Sequence, residues 1–198
     1  MARRYRLGVV GFAHMHVNTL MDQFRALPAV QWVACADTAP DVPELVEVEH
    51  SRAWNLRYAR ENIGIPRVYP DYREMLAAER FDLVVCCPEN ARHAEVAEAV
   101  AASGAHVLTE KPMATSLPEA LRMLRAARRH GVELFVNWPN TWSPAVRMAK
   151  TLLAAGAIGP LWQVKVRRGS RGPWSHGSAR PGPDGRPEAM AENAMAAT

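Results

Sequence analysis

Between Asp82 and Gly156 the chain repeats one pattern three times: a short apolar strand, a helical stretch, then a glycine. The strands read as Asp82 to Cys87, His106 to Thr109 and Val132 to Val136. The helices read as Ala91 to Ser103, a stretch opened by Ser116 and closed at Gly131, and one running from Ser143 toward Gly156. Gly104, Gly131 and Gly156 each stand where a left-handed residue ends a helix. Ser116-Leu117-Pro118-Glu119 joins capping-box spacing to a first-turn proline, and Ser143-Pro144 offers an N-cap followed by N1. Such β-α-β alternation predicts an α/β fold, a doubly wound parallel sheet with helices on both faces.

The N-terminal half fits the same plan. Tyr5 to Gly11 reads as a buried opening strand, His16 to Leu27 as a helix, and Val30 to Ala36 as a second strand ending at Asp37. Glu44 to Asn62 is expected to be helical, with Gly64 and Pro66 as its stop. Arg67 to Tyr69 reads as a short strand, and Asp71 to Glu74 has capping-box spacing for a helix reaching Ala78. In the helix after Ser116, Leu117, Ala120, Leu121, Leu124 and Ala127 mark one face.

Composition excludes several classes. Apolar residues make up 48% and charged residues 22%, so wholesale disorder is excluded. No apolar run approaches the roughly 20 residues of a membrane span. The basic start, Met1 to Arg6, reads as the lead-in to a strand, and no signal peptide is expected. The three cysteines lack metal-type spacing and read as small core residues of a reducing cytoplasm; no metal site is expected. The net charge is +4, and residues 165–198 hold +3 of it. That tail has one aromatic, Trp174, and no repeat, so a nucleic-acid partner is not expected. It also holds nine of the 27 Gly and Pro residues in 34 positions and is expected to be loop or disordered.

Four places carry chemistry. Gly11-Phe12-Ala13-His14-Met15-His16 follows the first strand in the position of a G-x-G-x-x-G fingerprint, but keeps only its first glycine. Gly11 allows the tight turn, and Ala13 is small enough for backbone N–H groups to approach a pyrophosphate at a helix N-terminus. His16 is too large for the closest helix–strand contact. A plain strand-to-helix turn would look similar. Asp37 lies 26 residues after Gly11 at the next strand end. A carboxylate there can accept from the adenosine ribose hydroxyls and repel a 2′-phosphate, or simply cap a turn. Pro88-Glu89-Asn90-Ala91-Arg92-His93 opens a helix at a strand's carboxyl end, where open α/β sheets bind ligands. His93 alone could equally be a surface residue. Glu110-Lys111-Pro112 ends the next strand, where a lysine can polarise a hydroxyl or carbonyl or stand in solvent.

Taken together, these stretches resemble the Gfo/Idh/MocA oxidoreductases. The resemblance rests on Leu7 to His16, Asp37, Asn90-Ala91-Arg92-His93 and the run Gly104 to Ala114, which includes Glu110-Lys111-Pro112. Val136-Asn137, Ser143-Pro144-Ala145 and Gly156 to Leu161 also fit, so about residues 5–168 are covered. The resemblance implies a Rossmann domain followed by an α/β domain with a large open sheet. It implies NAD, with NADP as the alternative, and hydride transfer on a sugar, cyclitol or related polyol. It places Lys111 beside the nicotinamide and the reacting hydroxyl as the catalytic residue, and Glu110 on the nicotinamide ribose. Gly11, Phe12, Ala13, His14, Asp37, Asn90 and His93 join them as cofactor-binding. Pro88 and Glu89 replace the Thr and Pro of the family's Thr-Pro-Asn-x-x-His stretch.

The family continues into a substrate domain with a catalytic Asp/His pair, and no such pair is recognisable here. The chain is therefore expected to hold a dinucleotide domain over 1–138, a linker helix and first strand of a shortened substrate domain over 139–168, and the tail over 169–198. The strand expected at Trp162 to Arg168 would leave an open sheet edge, a route to homo-oligomers or to a second polypeptide. Three readings stay open: a working oxidoreductase, a nucleotide-binding module or enzyme fragment without turnover, and a scaffold or regulatory protein that reuses the fold, against which Glu110 and Lys111 speak.

Overall fold

The structure, a computed structural model, describes residues 3–40 and 47–167. Six strands form one parallel sheet: β1 Tyr5–Val10, β2 Val30–Ala36, β3 Val68–Tyr69, β4 Leu83–Cys86, β5 His106–Glu110 and β6 Leu134–Asn137. Their spatial order is β3-β2-β1-β4-β5-β6, so the sheet grows outward in both directions from the β1–β4 pair. This is the Rossmann arrangement, and its topological switch point lies at the carboxyl ends of β1 and β4.

The helices are α1 His16–Arg25, α2 Arg52–Tyr58, α3 Tyr72–Ala78, α4 His93–Ala102, α5 Leu117–His130 and α6 Pro144–Ala154. Local signals set several of their ends. Asp71 accepts from the Arg73 N–H, Ser116 accepts from the Glu119 N–H, and Gly131 closes α5 at φ 65°. Buried side chains form a cluster on each sheet face. One centres on Val10, Val84 and Val107 with α3, α4 and α5, and the other on Leu7, Val9 and Val85 with α1.

Four expectations are corrected. Among the described residues of the helix expected from Glu44, 47–51 are not helical and the helix begins at Arg52, where Ser51 accepts from the Trp54 N–H; it then widens into a π turn over Ala59–Ile63. The start of that expected helix lies outside the described residues. On α5 the leucines face out: Leu117, Leu121 and Leu124 are exposed, while Met123, Ala126 and Ala127 are buried. Small residues on that face let α5 approach the alanine-rich α4, a fit the leucines would prevent. Ser143 stands at the N-cap of α6 and Pro144 at the first helical position, as read, but the Ser143 side chain makes no capping bond. Finally, no strand forms over the described part of 162–168, where Trp162 is 93% exposed: among the described residues its backbone has no strand partner. The tail expectation for 169–198 lies outside the described residues.

Residues up to Asn137 form one compact unit, and a second begins at Trp138. In the second, α6 buries no residue. Among the described residues, no helix is long and apolar enough to cross a membrane.

Candidate functional site

The carboxyl ends of β1, β2, β4 and β5 gather every residue singled out in the sequence. Gly11 sits at the switch point with φ +85°, a left-handed conformation that favours glycine. A Cβ there would lie 2.4 Å from Pro88 N and 2.5 Å from Pro88 Cα. The turns after β1 and β4 therefore touch backbone to backbone, and only glycine allows it.

Most N–H groups of the first turn are already used. Gly11 donates to the Ala36 carbonyl, Phe12 to Asp37 Oδ1, Ala13 to the Cys87 carbonyl and Val17 to the His14 carbonyl. Ala13 thus ties the turn to β4 and does not offer its N–H to a ligand. Among the described residues, the His14 and Met15 N–H groups have no acceptor, and the His16 N–H has only His14 Nδ1, at 3.2 Å. Asn55, fully buried on α2, donates to the Phe12 carbonyl at 2.9 Å and holds the turn from behind.

At the β2 end, three donors converge on Asp37 Oδ1: the Phe12 N–H at 3.0 Å, the Thr38 N–H at 2.8 Å and Arg52 Nη1 at 2.5 Å. None of these bonds uses Oδ2. Burial raises the carboxyl's pKa above its ordinary value, and Arg52 and the two N–H groups pull it back. Arg52, nearly buried, also pairs with Glu89 and donates to the Thr38 carbonyl at 2.8 Å. Thr38 Oγ1 in turn donates to Glu89 Oε2 at 2.8 Å.

At the β5 end, Glu110 is fully buried. Its carboxylate accepts from the Lys111 N–H at 3.1 Å and from Asn137 Nδ2, with His16 Nδ1 at 3.4 Å and His14 Nδ1 at 3.8 Å. Burial alone would raise its pKa. The His16 hydrogen bond, the His14 charge and the Asn137 amide outweigh that, and the net shift is downward. Lys111 Nζ lies 3.3 Å from His14 Nε2. Burial drives the His14 pKa down to about 4, Glu110 opposing and Lys111 reinforcing, so the ring is neutral near pH 7. A charged Lys111 then donates to Nε2 and the ring proton sits on Nδ1, facing Glu110. In that tautomer the His16 N–H loses its acceptor and joins those of His14 and Met15.

His14, His16 and Glu110 also offer ligand atoms within 4.8 Å of one another. Lys111 already supplies this cluster with a cation, at the far nitrogen of His14. Asn90 opens a short 3-10 turn before α4. His93 is fully buried and bonded through Nδ1 to the Pro112 carbonyl at 2.8 Å, so it braces the loop that carries Lys111. The Lys111–Pro112 peptide is cis. Arg52, Thr38 and Asn55 belong to the site but carry no motif signal, whereas Asn137 lies in the Val136-Asn137 stretch already noted. His16 stands at the third-glycine position, where the sequence shows only its bulk.

Residues 5–138 match the model of an oxidoreductase family with an NAD-binding Rossmann fold, Gfo/Idh/MocA. The chain is 35% identical over 123 residues to a D-apiose dehydrogenase of Paraburkholderia graminis, covering 62% of this chain and 33% of that protein. It is 27% identical over 115 residues to a myo-inositol 2-dehydrogenase of Thermotoga maritima, covering 58% of this chain and 34% of that one. Among solved structures, the WlbA dehydrogenase of Bordetella pertussis in complex with NADH and UDP-GlcNAcA superposes with a TM-score of 0.64 at 26% identity, covering 79% of this chain and 44% of that one. The chain spans about a third of the length of those two curated relatives. On the strand order, the fingerprint turn and the family match, this chain belongs to the Gfo/Idh/MocA oxidoreductases, a family with an NAD-binding Rossmann fold.

Proposed function

We propose that residues 1–138 bind NAD(H) and serve an oxidoreductase acting on a sugar, cyclitol or related polyol. One observation carries this reading: the Glu110–His14–Lys111 cluster stands across the β1–β4 switch point from Asp37, so one crevice offers both a ribose acceptor and a reacting-end cation. The residues present fit a dinucleotide. The His14, Met15 and His16 N–H groups at the mouth of α1 suit a pyrophosphate. Asp37 Oδ2 suits an adenosine ribose hydroxyl, and Glu110 the nicotinamide ribose. The bound nicotinamide supplies the hydride chemistry. Lys111, steadied by neutral His14, places its ammonium where a substrate oxygen gains or loses a proton. His93 acts through the loop, by fixing Pro112.

A second reading is a nucleotide-binding module or fragment that holds dinucleotide without turnover. It is favoured by α6, which buries nothing within the second unit, and by the one-third coverage of the relatives. Residues 139–168 then read as the start of a substrate domain.

Titration with NADH by fluorescence, followed by assay against a polyol panel, separates the readings. Binding with turnover supports the first, and binding without turnover the second. In a turning-over protein, Lys111→Ala should lower kcat at least about 100-fold and leave NADH affinity nearly unchanged. Unchanged turnover would remove Lys111 from the chemistry.

A further inference from the structure

Glu89 has no role in the reading above. It stands where the family's stretch has proline, and it is bound into the ribose end of the crevice. Its two oxygens take different partners. One pairs with Arg52, whose other guanidinium nitrogen lies 2.5 Å from Asp37, and the other accepts from Thr38 Oγ1. Arg52 is thus gripped by carboxylates from two strand ends. An arginine beside the ribose is the usual means of accepting a 2′-phosphate. Here that arginine is already committed, and Glu89 sets a second negative charge beside Asp37.

We propose that Glu89 is a specificity-determining residue: by holding Arg52 against Asp37 and Thr38 it makes the site reject 2′-phosphorylated dinucleotides. This rests on the reading that the crevice takes a dinucleotide, and it goes further by naming what excludes NADP(H). Rejection has an attractive and a repulsive part. The attractive group, Arg52, is sequestered, and the repulsive one is the added carboxylate. A second arginine lies nearby. Arg92 donates to the Ala39 carbonyl at 2.9 Å, two residues beyond Asp37, and is held in turn by Glu95 at 3.2 Å. It is the rival candidate for a phosphate contact.

Position 89 tolerates a clean test. Glu89 has φ −58° and ψ 145°, a conformation proline adopts without strain, so Glu89→Pro keeps the backbone while Glu89→Gln keeps the shape. NADH and NADPH are titrated calorimetrically against the whole chain, the two variants and Glu95→Gln. The wild type should prefer NADH by at least about tenfold. Both Glu89 variants should narrow that ratio about tenfold, through tighter NADPH binding. A ratio unchanged in both variants overturns the proposal. So does a gain in NADPH binding that comes from Glu95→Gln alone, which would transfer the role to Arg92. If the wild type binds neither dinucleotide, the reading of the crevice fails first and the proposal falls with it.

Discussion

Each end of the crevice sets carboxylate against cation, but the two are organised differently. At the β2 end, one arginine answers two carboxylates. At the β5 end, a buried carboxylate faces two imidazoles and an ammonium, and His14 lies between the carboxylate and the ammonium. The first is a matched network that fixes shape. The second sets a neutral imidazole between a buried carboxylate and an ammonium. The same sheet supports both because the turns after β1 and β4 meet between them.

Arg52→Leu attacks the matched end and should have the largest effect. It leaves Asp37 and Glu89 poorly solvated and unpaired, at a cost of about 3–5 kcal/mol in urea unfolding. A loss below 1 kcal/mol would show that this end is no more organised than an ordinary surface. Gly11→Ala attacks the contact between the ends. It forces a left-handed alanine into Pro88 backbone and should cost about 3 kcal/mol. Gly64→Ala is its control: φ is +78° but no atom lies within 4 Å, so only the backbone term of about 1–2 kcal/mol remains. Equal losses would mean that the turns do not touch in solution.

His14→Asn tests the β5 end and should have the smallest effect, visible only in acid. The His14 pKa is held at about 4 against an ordinary 6.5, so the unfolded chain binds the extra proton between those values. The stability involved is complete above pH 6.5 and is lost as pH falls toward 4, about 2 kcal/mol by pH 5. Glu110, also shifted downward, adds to the loss at lower pH. Unfolding at pH 7 and pH 5 should therefore diverge more for the wild type than for the variant. Parallel losses would place the titrating group elsewhere.

What the sequence made legible was local or topological. Asp71, Ser116 and Gly131 set helix ends through neighbours within a turn, so their signals survive without tertiary knowledge. The β-α-β rhythm specified the sheet, and the switch point then brought Gly11, Asp37 and Lys111 to one crevice. Orientation on α5 was not legible, because close approach to α4 selects Ala126 and Ala127 over larger leucines. Arg52 was invisible for a different reason. Its partners lie 15 and 37 residues away, and no spacing rule connects an arginine at a helix start to carboxylates at two strand ends.

The contact at Gly11 distributes evolutionary freedom unequally. The atoms that would block a side chain at position 11 are Pro88 N and Cα, which every amino acid possesses. Position 11 is therefore closed to change whatever residue stands at 88. Position 88 presents only main chain to the contact and can drift. New chemistry in this crevice can thus arise on the β4 side, at 88 and 89, while the β1 turn keeps its glycine.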